Sequence, residues 1–63
     1  MFKLEIKTGN AAFRDPYTGE EDSIAEAQEL ERILYRVIKE ISMDMNSGSV
    51  FDINGNKVGS WSR

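Results

Sequence analysis

No cysteine and no histidine occur among the 63 residues, and proline occurs once. Without cysteine the chain has neither a disulfide nor a thiolate metal site. Without histidine it has no imidazole ligand for zinc and no side chain that ordinarily titrates near neutral pH. Long apolar runs are missing too: nothing approaches the roughly 20 apolar residues of a membrane span. The opening Met1-Phe2-Lys3-Leu4-Glu5-Ile6-Lys7 alternates charged with apolar residues, where a secretory signal needs an unbroken apolar stretch. These absences predict a cytoplasmic protein with no membrane contact, no cofactor and no covalent staple.

What is present is enough to fold. Hydrophobic residues make up 40% of the chain, a content too rich for a disordered tail. Residues 1–63 make a single domain, and a domain of about 60 residues buries only roughly 60% of the surface its unfolded chain exposes. So thin a core is commonly supplemented by association, which makes a homodimer or a tight complex with another protein an expected state.

Phe2, Leu4 and Ile6 alternate with Lys3, Glu5 and Lys7, the period-two pattern of a strand with one buried face. Thr8-Gly9-Asn10 ends it, and Ala11-Ala12-Phe13 brings Phe13 to an edge of the core. Arg14 to Asp22 reads as a surface loop with a turn at Asp15-Pro16-Tyr17-Thr18-Gly19. Ser23 and Glu26 have capping-box spacing, which starts a helix running to about Ser42. At 100° per residue Ala27, Leu30, Leu34, Val37, Ile38 and Ile41 form its core stripe, with Glu29, Arg32, Arg36, Lys39 and Glu40 opposite. Ile33 and Tyr35 are its margins, or part of a wider apolar band suited to a second subunit. Glu20, Glu21, Asp22 and Glu26 sit at the positive end of the helix dipole, and Arg36 and Lys39 near its negative end.

After a polar connector from Met43 to Gly48, Val50 to Ile53 and Lys57 to Trp61 flank Asn54-Gly55, a pair that reaches positive φ cheaply and so marks a β-hairpin. The fold class that follows is α+β: a single small βαββ domain, a three-stranded antiparallel sheet with one helix packed on one face. For a hairpin loop of two or four residues, Phe51, Ile53 and Val58 face the helix. Val50 and Trp61 then lie on the open face beside Lys3, Glu5 and Lys7. Alternatively, Gly59 supports a bulge that turns Trp61 back over the core edge.

Motifs of chemistry are weak. Asp52, Asn54 and Asn56 alternate as ligands do at the start of a calcium loop, but Lys57 stands where such a loop needs glycine and Arg63 where it needs glutamate. The hairpin turn is the reading preferred, and no metal is expected. No serine has a histidine partner, and the carboxylates belong mainly to solvated surfaces, so no catalytic residue and no enzyme activity are expected. Net charge is −3, which disfavours a general affinity for nucleic acid. Acids concentrate between Arg14 and Glu31, where Glu20, Glu21 and Asp22 could mimic phosphates toward a basic partner, although an acidic helix start is sufficient reason for them. The second candidate surface is the open sheet face with Trp61, Val50, Lys3 and Lys7: a protein hot spot, a dimer face or a platform for stacked bases. Protein contact ranks ahead of nucleic acid because the chain is acidic.

Thr8-Gly9-Asn10-Ala11-Ala12-Phe13 and Asp52-Ile53-Asn54-Gly55-Asn56-Lys57-Val58-Gly59-Ser60-Trp61, bracketing a helix with an Ile-Leu pair, resemble a group of small uncharacterised proteins of bacteriophages, plasmids and integrated elements. The resemblance covers both ends and the helix, while the insert Arg14 to Asp22 varies in that group. It implies a genomic setting and no mechanism. The function expected is a non-enzymatic protein-binding accessory module of a phage or mobile element, acting on a host or phage protein and possible as an inhibitor of host defence; the alternative is a small nucleic-acid-binding regulator.

Overall fold

The computed structural model describes every residue except Pro16 and Glu21. Strand β1 (Lys3–Ile6) leads through a short 3₁₀ turn (Ala11–Phe13) and a loop to helix α1 (Ser23–Ser42); β2 (Ser47–Phe51) and β3 (Lys57–Ser62) form the hairpin. The sheet has the order β1-β3-β2 and both pairings are antiparallel, so the last strand is central and the first becomes an edge. This is the expected α+β architecture.

Helix α1 begins and ends where expected, but its caps differ. Asp22, not Ser23, is the N-cap, and its carboxylate accepts from the amides of Ile24 at 2.9 Å and Ala25 at 3.4 Å. At the C-terminus the Asp44 amide donates to the Ile41 carbonyl and the Met45 amide to that of Glu40, a Schellman closure with Asp44 at φ 62°. The preceding loop is tied internally: Asp15 accepts from the Tyr17 and Thr18 amides, and Arg14 donates to the Gly9 and Gly19 carbonyls.

The hairpin loop has three residues, neither two nor four. The Gly55 amide donates to the Asp52 carbonyl and the Asp52 amide to that of Asn56; Gly55 alone in the loop takes positive φ, at 85°. This is a type I turn closed by a glycine, and Asn54 needs no left-handed conformation. The odd loop length is corrected further along the strands. Val50 pairs with Gly59 but Phe51 with Lys57, which leaves Val58 as an extra, bulged residue.

That bulge assigns the faces. Alternation alone separates Val58 from Trp61, three residues on; the extra residue lets both point to the helix. Trp61 pairs with Leu4 on one side and Gly48 on the other, all on the inner face. The core is Phe13, Ile33, Val37, Val50, Val58 and Trp61, with Leu4, Ile6, Ala12, Leu30 and Ile41 packed around it. Val50 and Trp61 do share a face, but it is the core face, not the open one. Phe51 and Ile53, expected inside, are exposed.

Two glycines make the close packing possible. A Cβ on Gly48 would stand 2.7 Å from Trp61 Nε1 and 2.8 Å from Glu40 Oε1. A Cβ on Gly59 would stand 1.8 Å from the Glu5 carbonyl oxygen, so β1 can approach the centre of the sheet only because glycine is there.

Candidate interaction surface

The same side-chain placement decides which way the helix turns. Its buried residues are Glu29, Ile33 and Val37, a face about a quarter turn from the stripe expected from the sequence. Two glutamates cause the rotation. Glu29 accepts from the Ile53 amide at 2.8 Å and from Arg32 Nε at 2.6 Å, and Arg32 continues to the Phe51 carbonyl at 3.2 Å. Three turns later, Glu40 accepts from the Trp61 indole Nε1 at 3.1 Å. Two carboxylates along the helix thus hold the loop and the far strand of the hairpin. Buried polar groups are tolerated only with such partners, and the Ile53 amide and the Trp61 indole supply them from the hairpin. Both glutamates were assigned to solvent by hydrophobic periodicity, which cannot foresee a polar partner far away in the chain.

Rotation leaves a second apolar stripe facing away from the sheet. Ile24 is 68% exposed, Tyr35 66%, Ile38 59% and Leu34 41%, with Ala27 exposed among them. Ala27, Leu34 and Ile38 had been expected in the core. A shallow depression of ≈ 370 Å³, lined by Ala27, Leu30, Glu31, Leu34, Tyr35 and Ile38, lies in this stripe. Scattered exposed hydrophobics are ordinary, but a contiguous stripe along a helix marks a contact surface. A signal for it exists in the sequence: Ile24, Ala27, Glu31, Leu34 and Ile38 follow a 3-4-3-4 spacing, that of one seam of a coiled coil.

The open sheet face carries less than expected. Lys3, Glu5 and Lys7 are exposed there with Ser47, Ser49, Ser60 and Ser62, while Val50 and Trp61 are on the other side. The cluster of Trp61 and Val50 with Lys3 and Lys7 is therefore not formed, because a 2% exposed indole offers no surface to a partner. In the acidic stretch Asp15 and Asp22 cap backbone amides and Glu29 is buried; Glu20, Glu26 and Glu31 are exposed, and Glu21 lies outside the described residues.

The two motif segments quoted above meet in space. Asn10 Nδ2 donates to Asp52 Oδ2 at 3.0 Å across 42 residues. The other donors to Asp52 come from its own loop: the amides of Asn54 and Asn56, both at 2.9 Å to Oδ1, and Asn56 Nδ2 at 3.3 Å to Oδ2. Hydrogen bonding, led by the Asn10 amide and followed by the backbone and side chain of Asn56 and the backbone of Asn54, holds this carboxyl below its ordinary value against the opposing effect of desolvation. Each of its oxygens faces N–H donors, so the alternating Asp52, Asn54 and Asn56 build a turn and a joint to the start of the 3₁₀ turn. Among the described residues no three acidic side chains converge, and no helix is long and apolar enough to cross a membrane.

No family model, curated protein or solved structure matches this chain.

Proposed function

We propose that this chain is a non-enzymatic protein-binding module that docks through the outward stripe of α1. The observation that carries the reading is the exposed run of Ile24, Ala27, Leu34, Tyr35 and Ile38 on the side of the helix away from its own core. Helix-in-groove recognition uses this kind of spacing, with anchors three and four residues apart. Total accessible surface adds support: 4774 Å², against about 4100 Å² for a compact monomer of 7.2 kDa. The setting proposed is a phage or mobile element, with a host or phage protein as target and inhibition of a host defence protein as the role. That setting rests on the resemblance carried by Thr8–Phe13 and Asp52–Trp61.

The test compares the wild-type chain with Leu34→Glu and Ile38→Glu as affinity baits in salt of increasing concentration. Both positions are exposed, so circular dichroism should show an intact fold. A specific protein retained by the wild type in high salt and lost from both variants is the expected result. Retention by both variants would place the contact elsewhere and overturn the reading. A parallel titration with single- and double-stranded DNA and RNA at low salt addresses the nucleic-acid alternative. Binding that falls steeply with salt and disappears in Lys3→Glu/Lys7→Glu would replace the protein-contact reading with that one.

A further inference from the structure

The outward stripe of α1 has a specific self-complementarity. We infer that in the free protein, before a target takes it, it is covered by the same stripe of a second copy of this chain, packed antiparallel, an inference that rests on protein contact through this face.

Three observations specify the occupant. The first is spacing. Ile24, Ala27, Glu31, Leu34 and Ile38 occupy alternating a and d positions of a heptad. In an antiparallel pair each a position meets a d position of the other helix. That matches Ala27 with Ile38 and Glu31 with Leu34, whichever copy is taken first, and brings Ile24 to the half-buried edge of Ile41, which also packs on its own core. The second is shape. Ala27 is the smallest residue of the seam and borders the ≈ 370 Å³ depression, with Leu34 and Ile38 around it. This register brings the second copy's Ile38 to that place, a large side chain opposite a small one. Glu31, the one charged residue of the seam, then lies beside the second copy's Tyr35, whose hydroxyl can donate to it.

Charge is the third observation, and it sets the direction. Glu31 is the one carboxylate on the seam. Parallel packing sets it against its own copy and aligns the two helix dipoles. Antiparallel packing sets each Glu31 against Leu34 of the other helix and opposes the dipoles.

The chain has no cysteine, so introduced thiols report the geometry without background. Ala27→Cys and Ile38→Cys, both at exposed positions, are oxidised separately and as an equimolar mixture. Antiparallel packing predicts a disulfide between the two variants in the mixture and almost none in either alone. Like positions are then about 16 Å apart along the axis, beyond the reach of a disulfide. Efficient bridging of each variant alone would show parallel packing and overturn the inference. Sedimentation of the wild type from about 1 μM to about 1 mM is the second measurement. A dimer that Ile38→Glu dissociates is expected; a monomer throughout, with no bridge in the mixture, overturns the second copy as occupant. In that case the bait experiment with Leu34→Glu and Ile38→Glu still decides whether another protein uses the stripe.

Discussion

Asp52 holds the hairpin turn and the start of the 3₁₀ turn together through one side chain, accepting from Asn10, Asn54 and Asn56. Its folded carboxyl ionises at lower pH than an unfolded one. The stability it contributes is therefore complete above the ordinary carboxylate range and is lost as pH falls through the lowered folded value. Asp52→Asn should lower the urea midpoint at neutral pH, and the gap from wild type should narrow as pH falls below about 4. A gap that stays constant in acid would show that the charge contributes nothing. Gly59 is equally constrained, by space. Gly59→Ala drives a methyl group into the Glu5 backbone and should leave the chain unfolded in thermal denaturation. Gly48→Ala meets side-chain atoms of Trp61 and Glu40, which can move, so it should fold with a lowered midpoint. At this scale the sequence was only partly readable. Asn54-Gly55 marked the turn correctly, whereas the roles of Asn10 and Asp52 depend on a contact across 42 residues that no local pattern shows.

Helix α1 shows how an element can be right in extent and wrong in orientation. Its limits follow from local chemistry: a carboxylate on the first amides and a Schellman closure at the last carbonyls. Asp44 holds the left-handed position of that closure, where glycine is preferred. Asp44→Gly should raise stability by about 0.5–1 kcal/mol in chemical denaturation, after loss of the exposed ion pair with Arg63, which is worth little. An unchanged or lower midpoint would show that the pair with Arg63 outweighs the backbone strain. The orientation has a different origin. The sequence offers the helix two apolar stripes, and periodicity averages them into one lying between. Glu29 and Glu40 choose the face because Ile53 and Trp61 supply their donors. Replacing Glu40 by Ala removes the acceptor of the Trp61 indole N–H and should cost about 1–3 kcal/mol, while Glu40→Gln, which keeps an acceptor, should cost less. Tryptophan fluorescence during unfolding reads both.

Over the whole molecule, one helix on a three-stranded sheet makes an extended body of 39 × 20 × 15 Å. The radius of gyration is 12.3 Å, above the roughly 10–11 Å of a compact domain this long. Such a body has one buried layer and two outer faces. The sheet's outer face is mainly polar, with serines, lysines and a glutamate beside the exposed Phe51, and the helix's outer face is apolar. If the apolar face is paired in solution, stability is coupled to protein concentration by mass action. The thermal midpoint should rise over a hundredfold concentration range in the wild type and stay constant in Ile38→Glu. A wild-type midpoint independent of concentration would count against coupled association.

Local interactions were legible in the chain before any fold was known. Alternation in Phe2 to Lys7, the acidic start and basic end of the helix, and Asn54-Gly55 determined the elements, their order and the α+β class. The number of residues in the hairpin loop, the bulge at Val58 and the direction of Trp61 were decided only in the tertiary structure. A one-residue change in register moves a side chain to the other face of a sheet, and local preference for a three-residue over a two-residue loop is too small to specify it. The candidate surface followed from those choices. With Trp61 turned inward and Glu29 and Glu40 bonded to the hairpin, the stripe from Ile24 to Ile38 was left outside, because a helix with two apolar faces can bury only one of them against a single sheet.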